Sequence, residues 1–299
     1  MKYLTVNDYI KNIFGYKMYK VSLNISLSCP NRDGFKGRGG CIFCSQGGSG
    51  DFASDHKKSV TEQIEEGKTR VVKKLNLDPK DQRPHYIAYF QAFTNTYGPI
   101  DYLRECFFEA ANHKDIAIIS IATRPDCLGP EVLELLDELN QMKPVWVEMG
   151  LQTIHPKTAD MINRCYPLSD YEDAIKNLKE REIKTITHLI LGLPGETVED
   201  MLESVDYVAS RSWGIKLAML HVLEGTRLGE IYKTNPFHVF HMDEYIDLVC
   251  QCVKRLPEDM VIHRLTGDGP KNLLIAPKWS GNKRVLLNKL RQRLSNMER

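Results

Sequence analysis

The sequence predicts an α/β fold on a parallel sheet, in the form of an incomplete (β/α)6 TIM-like barrel. Two observations carry this. Short apolar runs, several rich in β-branched residues, alternate with longer runs of helical periodicity, the pattern of βαβ units with right-handed crossovers. The stretches that look chemically specialised fall directly after the apolar runs, at the strand ends where α/β sheets place their working groups. A doubly wound sheet is the rival arrangement. The chain has 299 residues, enough for one large α/β domain or two small ones.

The first strand is read at 18–27 (MYKVSLNISL) and is followed by a cysteine-containing loop and a helical pattern at 59–77. YIAYFQ (86–91) leads into QAFTNTYGP and a helix over 99–112. IAIISIA (116–122) leads into TRPD and a helix over 130–140. VWVEMGL (145–151) ends in QTIHP and precedes a helix over 169–181. Ser169 there, with Glu172 three residues on, has the form of a capping box. TITHLILGL (185–193) ends in GLPGET, and Thr197 with Asp200 gives a second capping box at the head of 197–210. IKLAML (215–220) ends in HVLEGT. Residues 1–225 are therefore expected to form the barrel with an N-terminal extension. Residues 226–299 are expected to form a C-terminal extension that closes it. MDEYIDLVCQCVKRL reads as a helix with Cys250 and Cys252 in the core. Cys106, Cys127 and Cys165 read as ordinary buried thiols. In the tail, eight Lys/Arg stand against one acid from Lys271 onward. Leu286, Leu287, Leu290 and Leu294 fall near helical spacing, so a basic amphipathic helix is expected, packed on or beside the barrel.

A hydrophobic fraction of 42% with 26% charged residues marks a globular rather than a disordered chain. The net charge of +1 gives no global pull toward nucleic acid or membrane, so any such signal has to be local. No apolar run reaches the length of a membrane span, and MKYLTVNDYIKNIFGYKMYK has no apolar h-region, so a cytoplasmic location is expected. Thiols stay reduced there, and a cysteine cluster points to a metal.

That cluster is Cys29-x11-Cys41-x2-Cys44, in a loop that also holds Gly34, Gly37, Gly39, Gly40, Gly47 and Gly48. Three thiolates are one short of a closed tetrahedral site or of the usual four ligands of a [4Fe–4S] cluster. A cluster held by three protein ligands leaves one iron open to a small molecule. Ile42 and Phe43, between the last two cysteines, suit shielding from water, and burial sets reduction potential. The competing reading is zinc held by the three cysteines and a histidine such as His56, in a non-enzymatic interaction protein.

A three-cysteine loop ending in CIFC (41–44), after the first strand of a barrel-like βα array, resembles the radical S-adenosylmethionine (SAM) superfamily. VEMGLQTIHPKTADMINRCY (147–166) and HLILGLPGET (188–197) resemble its coproporphyrinogen dehydrogenase and elongator catalytic subunit branch. The long cysteine spacer, QAFTNTY, ATRPD and RLTGDGP (264–270) resemble the YhcC/YtqA-like family, whose members in some Gram-positive bacteria are named MnmL. The resemblance implies a barrel of the radical SAM type. It implies that SAM fills the open iron and is cleaved to methionine and a 5′-deoxyadenosyl radical. It also implies an electron donor such as flavodoxin or ferredoxin.

By the same resemblance, Thr94 and Asn95 lie where relatives bind the methionine amino group, and Arg124 is assigned to the methionine carboxylate, which suits a guanidinium fork. Gln152 falls near the ribose, Arg164 matches a SAM-contacting arginine, and His188 resembles the elongator-type histidine. Gly192, Pro194 and Gly195 shape the turn past the adenine, and Phe43 follows from its place in CIFC. Glu148 shares side-chain parity with Gly150 and Gln152, so all three face the interior if the strand runs to 152. The implied second substrate is tRNA, at the C5 side chain of the wobble uridine, converted from 5-carboxymethylaminomethyl to aminomethyl. The tail, with Lys2, Lys11, Lys17 and Lys20, is the local basic signal for it. The block 263–279 is expected to close the barrel mouth. Lys216 and His221 are candidate acid/base groups. A radical SAM enzyme acting on a small molecule or a protein is the alternative.

Overall fold

All six expected strands form, and each takes its place in one parallel sheet. The computed structural model describes residues 3–48, 50–51, 53–72, 83–267 and 269–297. The chain opens with β1 (Leu4–Thr5) and α1 (Val6–Phe14). The repeating units are β2 (Tyr19–Leu23) and α2 (Val60–Val72), β3 (Tyr86–Phe90) and α3 (Ile100–Asn112), and β4 (Ile116–Thr123) and α4 (Pro130–Met142). Then come β5 (Val145–Gln152), the short α5 (Pro156–Met161), α6 (Leu168–Glu180), β6 (Lys184–Leu191), α7 (Val198–Ala209) and β7 (Gly214–Met219). The C-terminal part adds β8 (Val222–Leu223), α8 (Arg227–Thr234), α9 (Met242–Arg255), β9 (Val261–Arg264), β10 (Leu274–Ala276) and α10 (Lys283–Asn296).

The sheet order is β1-β9-β7-β6-β5-β4-β3-β2, every pair parallel, and β8 pairs antiparallel with β10. The partial barrel is therefore wider than the six expected strands. Its far edge is built by β9 and by the N-terminal β1. The first strand ends at Leu23 rather than 27, because Ser26 turns left-handed (φ 58°) and leads the chain into the cysteine loop. The helix expected over 59–77 is described as far as Val72, and 73–77 lie outside the described residues. The capping box at Thr197 and Asp200 is present. The one expected at Ser169 is not, because Pro167 serves as N-cap and the helix starts at Leu168.

Strand parity divides the core. Val147, Met149 and Leu151 of β5, with Ile119 and Ile121 of β4, face the helices and join the main core. Residues of the opposite parity face the barrel interior and form layers. At the bottom, Ile87, Ile118, Trp146 and Ile186 pack with Ile10 of α1 into an apolar floor, flanked by Trp213. The middle layer is polar. Above it, Ala122, Gly150 and Ala218 are small and half-buried, so the interior stays open toward the C-terminal mouth. Cys106, Cys250 and Cys252 are buried in the main core, as expected of them.

The basic tail helix α10 packs on α9, burying Leu286, Leu290 and Leu294, with Leu287 half-buried. Its position is the outer helical layer. Lys289 pairs with Asp243 at 3.1 Å and Arg293 with Asp247 at 2.7 Å, so two of its cations answer acids of α9. No helix among the described residues is long and apolar enough to cross a membrane.

Candidate active site at the mouth and centre of the barrel

The cysteine loop lies at the C-terminal end of β2 and is held from both sides. Ile42 is buried, its N–H donates to Ile162 O at 3.1 Å, and its carbonyl accepts from Leu228 N at 2.8 Å. With Leu193, Leu220, Val222 and Ala276 it forms a separate apolar cluster against which Phe43 packs. The C-terminal extension thus clamps the segment between Cys41 and Cys44. Asn31 is buried within the loop, donates to Asn163 O at 2.5 Å, and points its Nδ2 at Cys41 Sγ at 3.6 Å. Its Oδ1 has no partner. A Cβ at Gly37 would lie 2.2 Å from that Oδ1, and one at Gly48 (φ +58°) 2.2 Å from the Phe93 ring, so glycine is required at both.

The three thiols are free. Burial pushes Cys41 up to about 12, reinforced by Cys44 and Cys29 and opposed by Arg124. Charge repulsion among the thiolates means that they share one site, which suits a group that supplies positive charge. Three thiolates, an amide aimed at one sulfur and a loop packed tightly at Gly37 and Gly48 fit a [4Fe–4S] cluster with one open iron. The zinc alternative fares worse: His56 is exposed, and its Nδ1 lies 3.9 Å from Asp55. Among the described residues the cysteines form no donor group within 4.8 Å, as one tetrahedral ion requires.

Thr94 and Asn95 are buried beside this loop, and the Thr94 N–H donates to Ser28 O at 3.3 Å. The Asn95 amide bridges Phe90 O at 3.0 Å and Ala122 O at 2.9 Å, tying β3 to β4, while its Oδ1 is buried without a partner. The Arg124 fork is occupied. Its Nε and Nη2 donate to the two oxygens of Asp126 at 2.9 and 2.8 Å, and Nη1 donates to Arg164 O at 3.0 Å. Asp126 also pairs with Lys36 of the cysteine loop at 3.0 Å. Arg124 therefore sits beside the thiolates as a fixed positive charge. Arg164 is buried and spends its donors on the carbonyls of Leu151, Thr153 and Tyr166. Cys127 and Cys165, expected to be ordinary buried thiols, are instead half-buried next to the loop, and a Cβ at Gly37 would meet Cys165 Sγ at 3.0 Å.

Glu148 is the hub of the middle layer. It is fully buried and accepts from Lys20 at 2.5 Å, Ser120 at 2.7 Å and His188 at 2.9 Å, and it pairs with Lys216. These partners come from β2, β4, β6 and β7. Burial alone would push Glu148 up, yet Lys20, Lys216 and His188 together hold it well below the usual carboxylate range. Burial pulls Lys216 down to about 7 against the attraction of Glu148. Burial, with Lys216 close by, lowers His188 to about 4. Three site residues predicted separately, Glu148, His188 and Lys216, thus converge. Lys20, expected to track phosphates on the surface, is inside the barrel. Lys2 lies outside the described residues.

Gln152 ends β5 past a register shift with φ 68°, so the alternation that would aim it inward with Glu148 breaks before it. Gly192 takes φ +93°, where a Cβ would meet Phe240 at 3.2 Å, and Gly195 takes φ +85°. Gly267 and Gly269 lie on the His221 ring, where a Cβ would meet it at 2.4 and 3.2 Å. His221 thus sits against Gly267 and Gly269, apart from the contacts of Glu148. Sequence reasoning missed Asn31, Ser120, Asp126 and His263. Asp126 alone had a local signal, two residues after Arg124 in TRPD.

The Radical SAM superfamily profile matches residues 24–208, and the Radical_SAM C-terminal domain matches 212–296. The uncharacterized protein YtqA of Bacillus subtilis (strain 168) is 42% identical over 296 residues, covering 99% of this chain and 90% of that protein. Protein YhcC of Escherichia coli (strain K12) is 34% identical, covering 90% of this chain and 85% of that one. The tRNA uridine(34) acetyltransferase of Methanocaldococcus jannaschii is 27% identical across 56% of this chain and 31% of its own length. Among solved structures, the archaeal Methanocaldococcus infernus Elp3 superposes with a TM-score of 0.68 at 16% identity, covering 93% of this chain and 64% of that one, which is a likeness of fold.

Proposed function

Since the chain belongs to the radical SAM superfamily, and within it to the family of YtqA and YhcC, we propose that it is a tRNA-modifying enzyme that converts 5-carboxymethylaminomethyl to aminomethyl at the wobble uridine. Membership implies a [4Fe–4S] cluster and SAM. Cys29, Cys41 and Cys44 are assigned to the cluster. Phe43, Thr94, Asn95, Arg124, Glu148, Gln152, Arg164, His188 and Gly192 are assigned to the SAM site. When bound, the reduced cluster supplies the electron that cleaves SAM to methionine and a 5′-deoxyadenosyl radical.

The chain's own residues set the conditions for this. Arg124, fixed by Asp126, favours thiolate at the neighbouring cysteines. Ile42 and Phe43 keep water from the loop. Asn31 directs an N–H at Cys41 Sγ. Removing a carboxymethyl group from a secondary amine is an oxidative C–N cleavage. The deoxyadenosyl radical would take a hydrogen atom from the carboxymethyl carbon beside nitrogen, giving 5′-deoxyadenosine; one further electron would pass to a one-electron acceptor such as the oxidised cluster, and water would then hydrolyse the imine to the primary amine and glyoxylate. Lys216 Nζ, drawn to about 7, is suited to exchange the amine proton at neutral pH. The observation that carries the reading is the three-cysteine loop above a barrel interior with a charged centre. The tRNA substrate draws its support from the kinship with a tRNA uridine(34) acetyltransferase.

The test uses anaerobically reconstituted protein with SAM, dithionite and tRNA from a strain lacking this chain, followed by nucleoside mass spectrometry. Loss of 5-carboxymethylaminomethyluridine with gain of the aminomethyl nucleoside, dependent on all three cysteines, is the expected result. Deoxyadenosine formed with unchanged nucleosides would overturn the substrate and leave the radical chemistry standing.

A further inference from the structure

We propose that the charged centre of the barrel is a carboxylate subsite for the second substrate, gripped by Lys20 and Lys216. The proposal rests on the reading above only for which molecule brings the carboxylate.

Charge balance is the first argument. Among the described residues Lys20 and Lys216 have the same and only ion-pair partner, Glu148. Both ammoniums also lie over the Tyr89 ring, at 4.4 and 4.7 Å from its centroid. Two cations facing one carboxylate leave a surplus positive charge, and at Lys216, whose side chain is 7% exposed, water screens it poorly. Such a surplus is costly unless a proton leaves or an anion arrives.

The second argument is independent of charge. His263 of β9 borders this layer, edge-on to Trp146 and Trp213 at 5.3 and 5.4 Å. Both of its ring nitrogens are buried without a partner. Buried polar atoms are rarely left so, and the pair marks a place where a further polar group belongs.

Access is the third. Ala122, Gly150 and Ala218 leave the interior open above the charged layer. The Lys20 side chain is 28% exposed on β2, the strand that ends the sheet. A ligand entering from the mouth meets both lysines with its far end. The resemblance assigns the methionine end of SAM to the cysteine loop, so an anion at the centre would come from the other substrate. A substrate amine beside that carboxylate then lies one or two bonds nearer the mouth, where its carbon faces the radical source.

The experiment measures binding of 5-carboxymethylaminomethyluridine and 5-aminomethyluridine to the holoenzyme by calorimetry, in the wild type, K20M and K216M, with folding checked by circular dichroism. The two nucleosides differ only by the carboxymethyl group. The wild type is expected to prefer the carboxylate form by about tenfold or more. K20M, which leaves a balanced Lys216–Glu148 pair and so keeps the fold, is expected to bring that ratio to about one. Equal binding of both nucleosides by the wild type, or a preference kept by both variants, overturns the subsite. N-methylglycine, read by thermal shift, separates this outcome from failure of the uridine reading. A shift seen in the wild type and lost in K20M, with neither nucleoside bound, supports the subsite and sinks the uridine. No response to any of the three ligands overturns the subsite, and the nucleoside mass spectrometry then judges the tRNA reading separately.

Discussion

Replacing Glu148 by glutamine keeps the shape of the hub and removes its charge. Lys20 and Ser120 retain an oxygen acceptor at Oε1, whereas the new amide faces Lys216 Nζ and His188 Nε2, both donors or near-donors. Lys20 is 28% exposed and turns toward solvent at little cost, so the penalty falls on Lys216, whose side chain is 7% exposed. Breaking a buried pair by removing one partner costs about 3–5 kcal/mol. The penalty has a ceiling, because Lys216 escapes by losing its proton. With Lys216 already drawn down to about 7, that costs little at neutral pH, so the loss comes mainly from the charged hydrogen bonds that Lys20, Ser120 and His188 make to the carboxylate. The expected loss is therefore about 2–3 kcal/mol, below the range for a stranded buried charge, in urea unfolding followed by circular dichroism. Without Glu148, Lys216 titrates lower still than about 7 when folded and normally when unfolded. Above neutral pH the unfolded chain of E148Q holds the extra proton, so its stability rises as pH climbs toward the ordinary lysine range. The double variant E148Q/K216M is expected to recover about half of the loss, since it removes the stranded ammonium. A loss below about 1 kcal/mol in E148Q, or a double variant no more stable than E148Q, would refute the hub.

Other outcomes follow from the same geometry. His188 titrates near 4 when folded and near 6.5 when unfolded, so the unfolded chain binds the extra proton between those values and stability falls as pH drops through that window. The fall is expected to be about 3 kcal/mol, and H188Q should flatten it; an unchanged slope would exclude His188 as its source. Ile42→Ala opens the cluster that clamps the cysteine loop, with an expected cost of about 2–4 kcal/mol and a lower iron content per chain after reconstitution. Full iron loading and an unaltered melt in I42A would show that the clamp is dispensable. Asp126→Asn releases Arg124 and Lys36 together, and reconstituted D126N should retain less iron while keeping its secondary structure by circular dichroism. Iron retention equal to that of the wild type would remove Arg124 from the support of the thiolates.

The strands that carry the site were legible because each is a local pattern. VWVEMGLQ and TITHLILGL announce themselves by apolar content and length, and the working residues follow from where such strands end. The edge of the sheet was not legible. β1 is two residues long and β9 four, and they pair with each other across most of the chain, Leu4 beside Val261. No periodicity can be read in so few residues. The same limit hid the role of Lys20. Its partner Glu148 lies 128 positions away, and a lysine in a basic N-terminal stretch reads as surface until the sheet brings the two together. Ser169 failed for a local reason. The pattern of a capping box was there, and the proline two residues earlier had already set the helix start. Arg124 reads as a free fork in sequence, and only the fold shows that Asp126 has taken it.

The clamp on Ile42 has a consequence for how the protein is made. The three cysteines are synthesised well before the residues that fix their loop. Ile162 supplies a carbonyl, Leu228 an amide, and Ala276 part of the apolar seat. Until those later residues have been made and folded, the three thiols have no fixed mutual placement. A group that all three thiols hold together is therefore expected to bind after Leu228 and Ala276 have folded against Ile42, rather than when the cysteines first emerge.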